Sequence, residues 1–202
     1  MISRPVHGGN LTWAAELADC SPDQILDFSA SISPLGPPAS VVDAIQASLS
    51  HLVAYPDPSY KRLRGQIGQY HQISPDWILP GNGSAELLTW AGRDFSSLEG
   101  CYTLTPGFRD YTRALVSYGV RCQGLSLLSA ETGFLKRQSL AETMVSANLS
   151  WGLLLNNPHN PTGALFEADQ IAPLLNRLGL VVVDEAFMDF VPPGQQQSLR
   201  ED

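Results

Sequence analysis

Lysine is nearly missing from this chain: Lys61 and Lys136 are the only two among 202 residues. Chemistry that needs a covalent amine therefore has two candidates. Both sit in basic, polar company, Lys61 beside Arg62 and Arg64, Lys136 beside Arg137. Cysteine is scarce as well. Cys20, Cys101 and Cys122 are widely spaced, with no C-x-x-C and no metal-ligand spacing. That pattern excludes a disulfide scaffold and reads as reduced thiols of a cytoplasmic protein. No stretch approaches the ~20 apolar residues of a membrane span. Residues 1–11 hold no apolar core of signal-peptide length. Basic charge is short too. Twelve Lys and Arg against twenty Asp and Glu leave a net charge of −8. Nucleic acid is excluded as a general partner, because phosphate backbones select a basic face.

What is present is a globular composition, 44% hydrophobic and 16% charged, enough for one large domain or a domain with part of a second. The stretch from Leu153 to Phe190 organises it. Two short apolar runs, Leu153–Leu155 and Leu178–Val183, read as buried strands. The first runs into Asn156-Asn157-Pro158-His159-Asn160-Pro161-Thr162-Gly163, the second into Asp184-Glu185. Phe166–Arg177 between them has helical spacing, which makes a strand–helix–strand crossover of a parallel sheet. Polar groups at the carboxyl ends of such strands mark ligand sites.

Upstream, Thr12–Ala18, Ser40–Leu52 and Tyr60–His71 read as helices. In the last, Leu63, Ile67 and Tyr70 are expected inward and Lys61, Arg62 and Arg64 outward. Trp77–Pro80 reads as a short strand. Gly81-Asn82-Gly83-Ser84-Ala85-Glu86 then opens a helix through Phe95, and a glycine turn at a helix N-terminus is an anion site. Gly100–Leu104 and Arg121–Leu127 read as strands around a helix ending near Tyr118, and Leu140–Ala147 as a further helix.

The Asn-Pro-His-Asn-Pro-Thr-Gly run with Asp184-Glu185-Ala186-Phe187 downstream resembles the fold-type-I pyridoxal 5′-phosphate (PLP) enzymes, the aminotransferase class I and II family. Within it the chain is similar to the branch of threonine-phosphate decarboxylases, which serve cobalamin biosynthesis, and histidinol-phosphate aminotransferases. The pointers are His7-Gly8-Gly9-Asn10, Asp27-Phe28-Ser29-Ala30 through Pro34-Leu35-Gly36, Tyr55-Pro56-Asp57-Pro58 with Tyr60, and Ile78 to Gly83. His-Gly-Gly-Asn favours the decarboxylase.

The resemblance implies an α/β fold: an N-terminal arm and the start of a small domain over residues 1–50, then part of a PLP-binding large domain over 51–202. Its sheet would be mainly parallel, with helices on both faces. It implies Asp184 and Asn160 as catalytic residues, Asp184 pairing with the ring nitrogen and Asn160 with the ring's 3-oxygen. Asp184 also has a plainer reading, as a loop acid or helix N-cap after a strand. Gly83, Ser84 and Ala85 would seat the cofactor phosphate. Phe108 would stack on the ring, with Tyr111 the alternative. Tyr55 would reach a partner's PLP phosphate across a homodimer interface. His7, Gly8, Asn10, Ser33 and Gly36 would face a phosphorylated amino-acid substrate.

Three departures bear on that picture. Ser33 stands where the family often has Asn, and Phe187 where the aminotransferases have a tyrosine that also holds the 3-oxygen. The lysine that tethers the cofactor and carries protons in the family lies beyond a further strand, whereas both lysines here precede Asp184. The expectation is therefore a fragment of a longer product, or a non-catalytic remnant, with an apolar sheet edge left open.

Overall fold

The computed structural model describes residues 8–128, Leu140, Met144 and 148–199. The expected helix at 140–147 falls mostly outside the described residues, as do His7 and Lys136. The chain divides into two compact units, Met1–Pro58 and Ser59–Asp202. The sequence reading placed that division after residue 50.

The first unit holds α1 (Leu11–Ala18) and α2 (Ala39–Ser48), the latter continued by a 3-10 turn over Leu49–Val53. Among its described residues only Ala15 is a buried hydrophobic. On the second helix and its turn Val41, Ile45, Leu49 and Leu52 are exposed and line an open groove.

The second unit contains α3 (Lys61–His71), α4 (Ser84–Phe95), β1 (Gly100–Thr105), α5 (Arg109–Val116), β2 (Cys122–Ser126), β3 (Trp151–Asn156), α6 (Ala168–Ile171) and β4 (Leu180–Asp184). Among the described residues the three strand pairings are parallel and the order is β2-β1-β3-β4. Every residue of β3 is buried, as a strand covered on both faces must be. Its side chains alternate between two cores. Leu153 and Leu155 join Tyr102, Leu104, Ile171 and Leu174 on one face. Leu154 joins Cys101, Leu88, Phe95 and Leu115 on the other. Each such leucine contributes about 1.5–3 kcal/mol relative to exposure. The helices thus cover both faces, α4 and α5 on one and α6 with its continuing turn on the other.

Three local expectations are corrected. Trp77–Pro80 is not a strand. Ser74 Oγ accepts from Asp76 N (3.3 Å), Pro75–Trp77 turns as a 3-10 helix, and the segment pairs with no strand among the described residues. The helix over Phe166–Arg177 shrinks to α6 and a 3-10 turn, Ala172–Asn176, because Pro173 has no N–H for the helical ladder. On α3, Leu63 and Tyr70 lie exposed, whereas Arg64 turns inward. Arg64 Nε donates to Pro75 O (2.9 Å) and its guanidinium pairs with Asp76.

Candidate functional site

Chain order reverses between β1 and β3. From β1 the chain moves to β2 on one side, then returns to place β3 and β4 on the other. In parallel sheets the crevice outside the carboxyl ends at such a switch point receives ligands. Here the loop after β1 carries Phe108, the loop after β3 carries Asn160, and β4 ends on Asp184, paired in register with Asn156.

Asp184 is held by two donors. Tyr111 OH donates to Oδ2 (2.9 Å) and Ala186 N to Oδ1 (3.0 Å). The second bond makes a turn, and the next helical turn among the described residues, Met188–Phe190, is capped by Phe187, so Asp184 is not its cap. Tyr111 is 4% exposed. Its hydroxyl pKa is pushed far up, first by burial and then by the Asp184 charge, so it remains a proton donor. Phe108 is the N-cap of α5. Its ring lies edge-on to Tyr111 (5.5 Å between centroids, 87°) and is 37% exposed.

Gly83 caps α4 at φ 77°, a left-handed conformation that glycine adopts without strain. Glu86 reaches back to accept from Asn82 N (2.6 Å) and Asn82 Nδ2 (3.0 Å), which fixes the turn. Ser84 and Ala85 follow, exposed, with first-turn N–H groups that have no helical acceptor. Arg113 on α5 ties the first turns of α4 to α5. It donates to Ala85 O (3.3 Å) and Thr89 Oγ1 (3.4 Å), and it pairs with Asp110.

The Asn-rich loop is built on residues that sequence reasoning passed over. Asn157 is fully buried, its Nδ2 donating to Phe166 O and its Oδ1 accepting from Phe166 N (both 2.9 Å). No sequence signal marks a side chain bonded to a backbone nine residues on. His159 is also buried, with Nδ1 2.8 Å from Thr162 Oγ1 and Nε2 unpartnered. Burial lowers its pKa. Tyr111 had a legible signal, since three residues after Phe108 places it one turn along the same helix. It is buried, with its hydroxyl on Asp184.

Asn160 and Ser84, by contrast, have no side-chain hydrogen-bond partner among the described residues. Uncommitted donors at Asn160 and Ser84, an anchored carboxylate, a half-open aromatic ring and a glycine-capped helix start together suit a planar, phosphorylated, nitrogen-containing ligand such as PLP.

The remaining expected site residues lie in the first unit. Tyr55 is fully exposed. Asn10 caps α1, its Oδ1 accepting from Trp13 N (3.0 Å). Gly8 packs so closely that a Cβ would lie 1.9 Å from Ser29 O. Ser33 Oγ accepts from Leu35 N (3.3 Å), and Gly36 closes that turn at φ 69°. No helix among the described residues is long and apolar enough to cross a membrane.

Residues 23–201 match the family model "Aminotransferase class I and II". The chain is 37% identical over 190 residues to the threonine-phosphate decarboxylase of Salmonella typhimurium, covering 92% of this chain and 51% of that protein. It is 30% identical over 171 residues to histidinol-phosphate aminotransferase 1 of Oceanobacillus iheyensis, covering 83% and 46%. Its fold matches the crystal structure of the Sinorhizobium meliloti histidinol-phosphate aminotransferase in complex with pyridoxal-5′-phosphate. The TM-score is 0.69 at 23% identity, covering 83% of this chain and 45% of that one. The chain thus spans about half the length of the relatives it matches.

Proposed function

Since the chain belongs to the aminotransferase class I and II family, we propose that it forms the cofactor-binding part of a PLP-dependent decarboxylase acting on threonine phosphate. The observation that carries the cofactor assignment is Asp184, a carboxylate anchored by two donors at the carboxyl end of β4, beside the switch point. When bound, PLP serves as a sink for the electron pair left on the substrate's α carbon. Asp184 would hold the proton on the ring nitrogen. Asn160 would donate to the 3-oxygen as its main partner, because Phe187 has no hydroxyl. Phe108 would stack, its apolar face matching an offset ring. Gly83, Ser84 and Ala85 would hold the phosphate through N–H groups and one hydroxyl.

The substrate assignment rests on the 37% identity to a threonine-phosphate decarboxylase. Gly8, Asn10, Ser33 and Gly36, with His7, are proposed to face the substrate's phosphate and carboxylate. A homodimer is proposed as the working form, with the exposed Tyr55 reaching the partner's phosphate cradle. The similarity to histidinol-phosphate aminotransferases supports a second reading, amine transfer.

Carboxyl-labelled threonine phosphate supplied to the PLP-loaded protein separates the two. Labelled carbon dioxide released faster than by free PLP supports decarboxylation. Amine transfer from histidinol phosphate to an oxo acid, without carbon dioxide, supports the second reading. Neither reaction would leave a cofactor-binding module.

A further inference from the structure

Tyr111 joins two groups that the sequence treats as separate. It sits on α5, one turn after Phe108, and bonds a carboxylate 73 residues away at the end of β4. Its ring is fixed in the core that holds Leu88, Phe95, Leu115 and Leu154. The hydroxyl donates to Oδ2 of Asp184 while Ala186 N donates to Oδ1, so each oxygen holds a donor and the carboxylate plane is restrained. The same ring presents its face or edge at right angles to Phe108, a contact that fixes an otherwise part-exposed aromatic.

Resting on the PLP reading of the site, we propose that Tyr111 is its positioning residue: its hydroxyl aims Asp184 at the ring nitrogen, and its ring steadies Phe108. The raised hydroxyl pKa agrees with a permanent donor. A bond to a charged acceptor is stronger than one between neutral groups. Its loss frees a carboxylate that must keep one geometry to pair with the cofactor.

The test is a calorimetric titration of the purified chain with PLP and with the analogue that has carbon in place of the ring nitrogen. The readout is the ratio of the two affinities within each protein. A loss of folded protein affects both ligands alike and cancels. Wild type should prefer PLP. Tyr111→Phe, which retains the ring and its packing, should cut that preference about tenfold and leave the analogue's affinity nearly unchanged. On an Asp184→Asn background the same substitution should add nothing, as expected of two residues acting in series. If Tyr111→Phe weakens both ligands equally, or retains the full preference, Tyr111 only packs and the inference falls while the PLP reading stands. If wild type binds neither ligand, the PLP reading falls and takes the inference with it.

Discussion

Asn157 places a buried amide against the N–H and C=O of Phe166, with Gln197 O a longer acceptor (3.4 Å). Removing it strands two backbone groups away from water. Asn157→Ala should destabilise the second unit by about 2–4 kcal/mol, read as a shift in urea midpoint at unchanged slope. His159 gives a pH dependence with a definite sign. Its folded pKa lies below the ordinary ~6.5 because burial disfavours the imidazolium. Below that value the unfolded chain takes up a proton that the folded chain resists. The His159 contribution is therefore intact above about pH 6.5 and is lost as pH falls through the lowered folded pKa. Urea unfolding from about pH 8 to pH 5 should show stability falling toward acid, and His159→Gln should flatten the part of that slope owed to His159. An unchanged slope would show that His159 does not carry it.

At the scale of elements, the site depends on how closely α4 lies against α5. A Cβ at Gly92 would meet Ala114 O at 2.4 Å, so only glycine permits that approach. Gly92→Val should cost about 1–3 kcal/mol and tilt the first turn of α4, where Ser84 and Ala85 sit. PLP affinity should fall more than pyridoxal affinity, because only PLP carries the phosphate. Equal loss for both would mean the cradle is elsewhere. The elements themselves were unevenly legible. The four sheet strands and α4 announced themselves through apolar runs and the glycine turn. Trp77–Pro80 misled because an apolar run says nothing about whether a neighbouring strand exists to pair with. Phe166–Arg177 misled because its helical spacing outweighed Pro173. Arg64 was read by charge, yet its guanidinium finds a carbonyl and a carboxylate.

Across the whole molecule, the candidate constellation comes from four points of the second unit: the start of α4 and the ends of β1, β3 and β4. Sequence order alone placed Phe108, Asn160 and Asp184 at strand ends, because parallel strands put all their carboxyl ends on one edge. It did not reveal that Tyr111 and Asn157 hold that edge in shape, since both act through contacts between distant segments. β4 lies at the edge of the described sheet with every residue half-buried. The most direct measurement is a titration of the 202-residue chain with PLP, followed by borohydride and dialysis, beside the Asp184→Ala variant. The account predicts saturable binding of one PLP per chain, at least about tenfold weaker in Asp184→Ala, and removable by dialysis because neither lysine follows Asp184. Equal binding by both proteins, or a covalent adduct at Lys61 or Lys136, would contradict it.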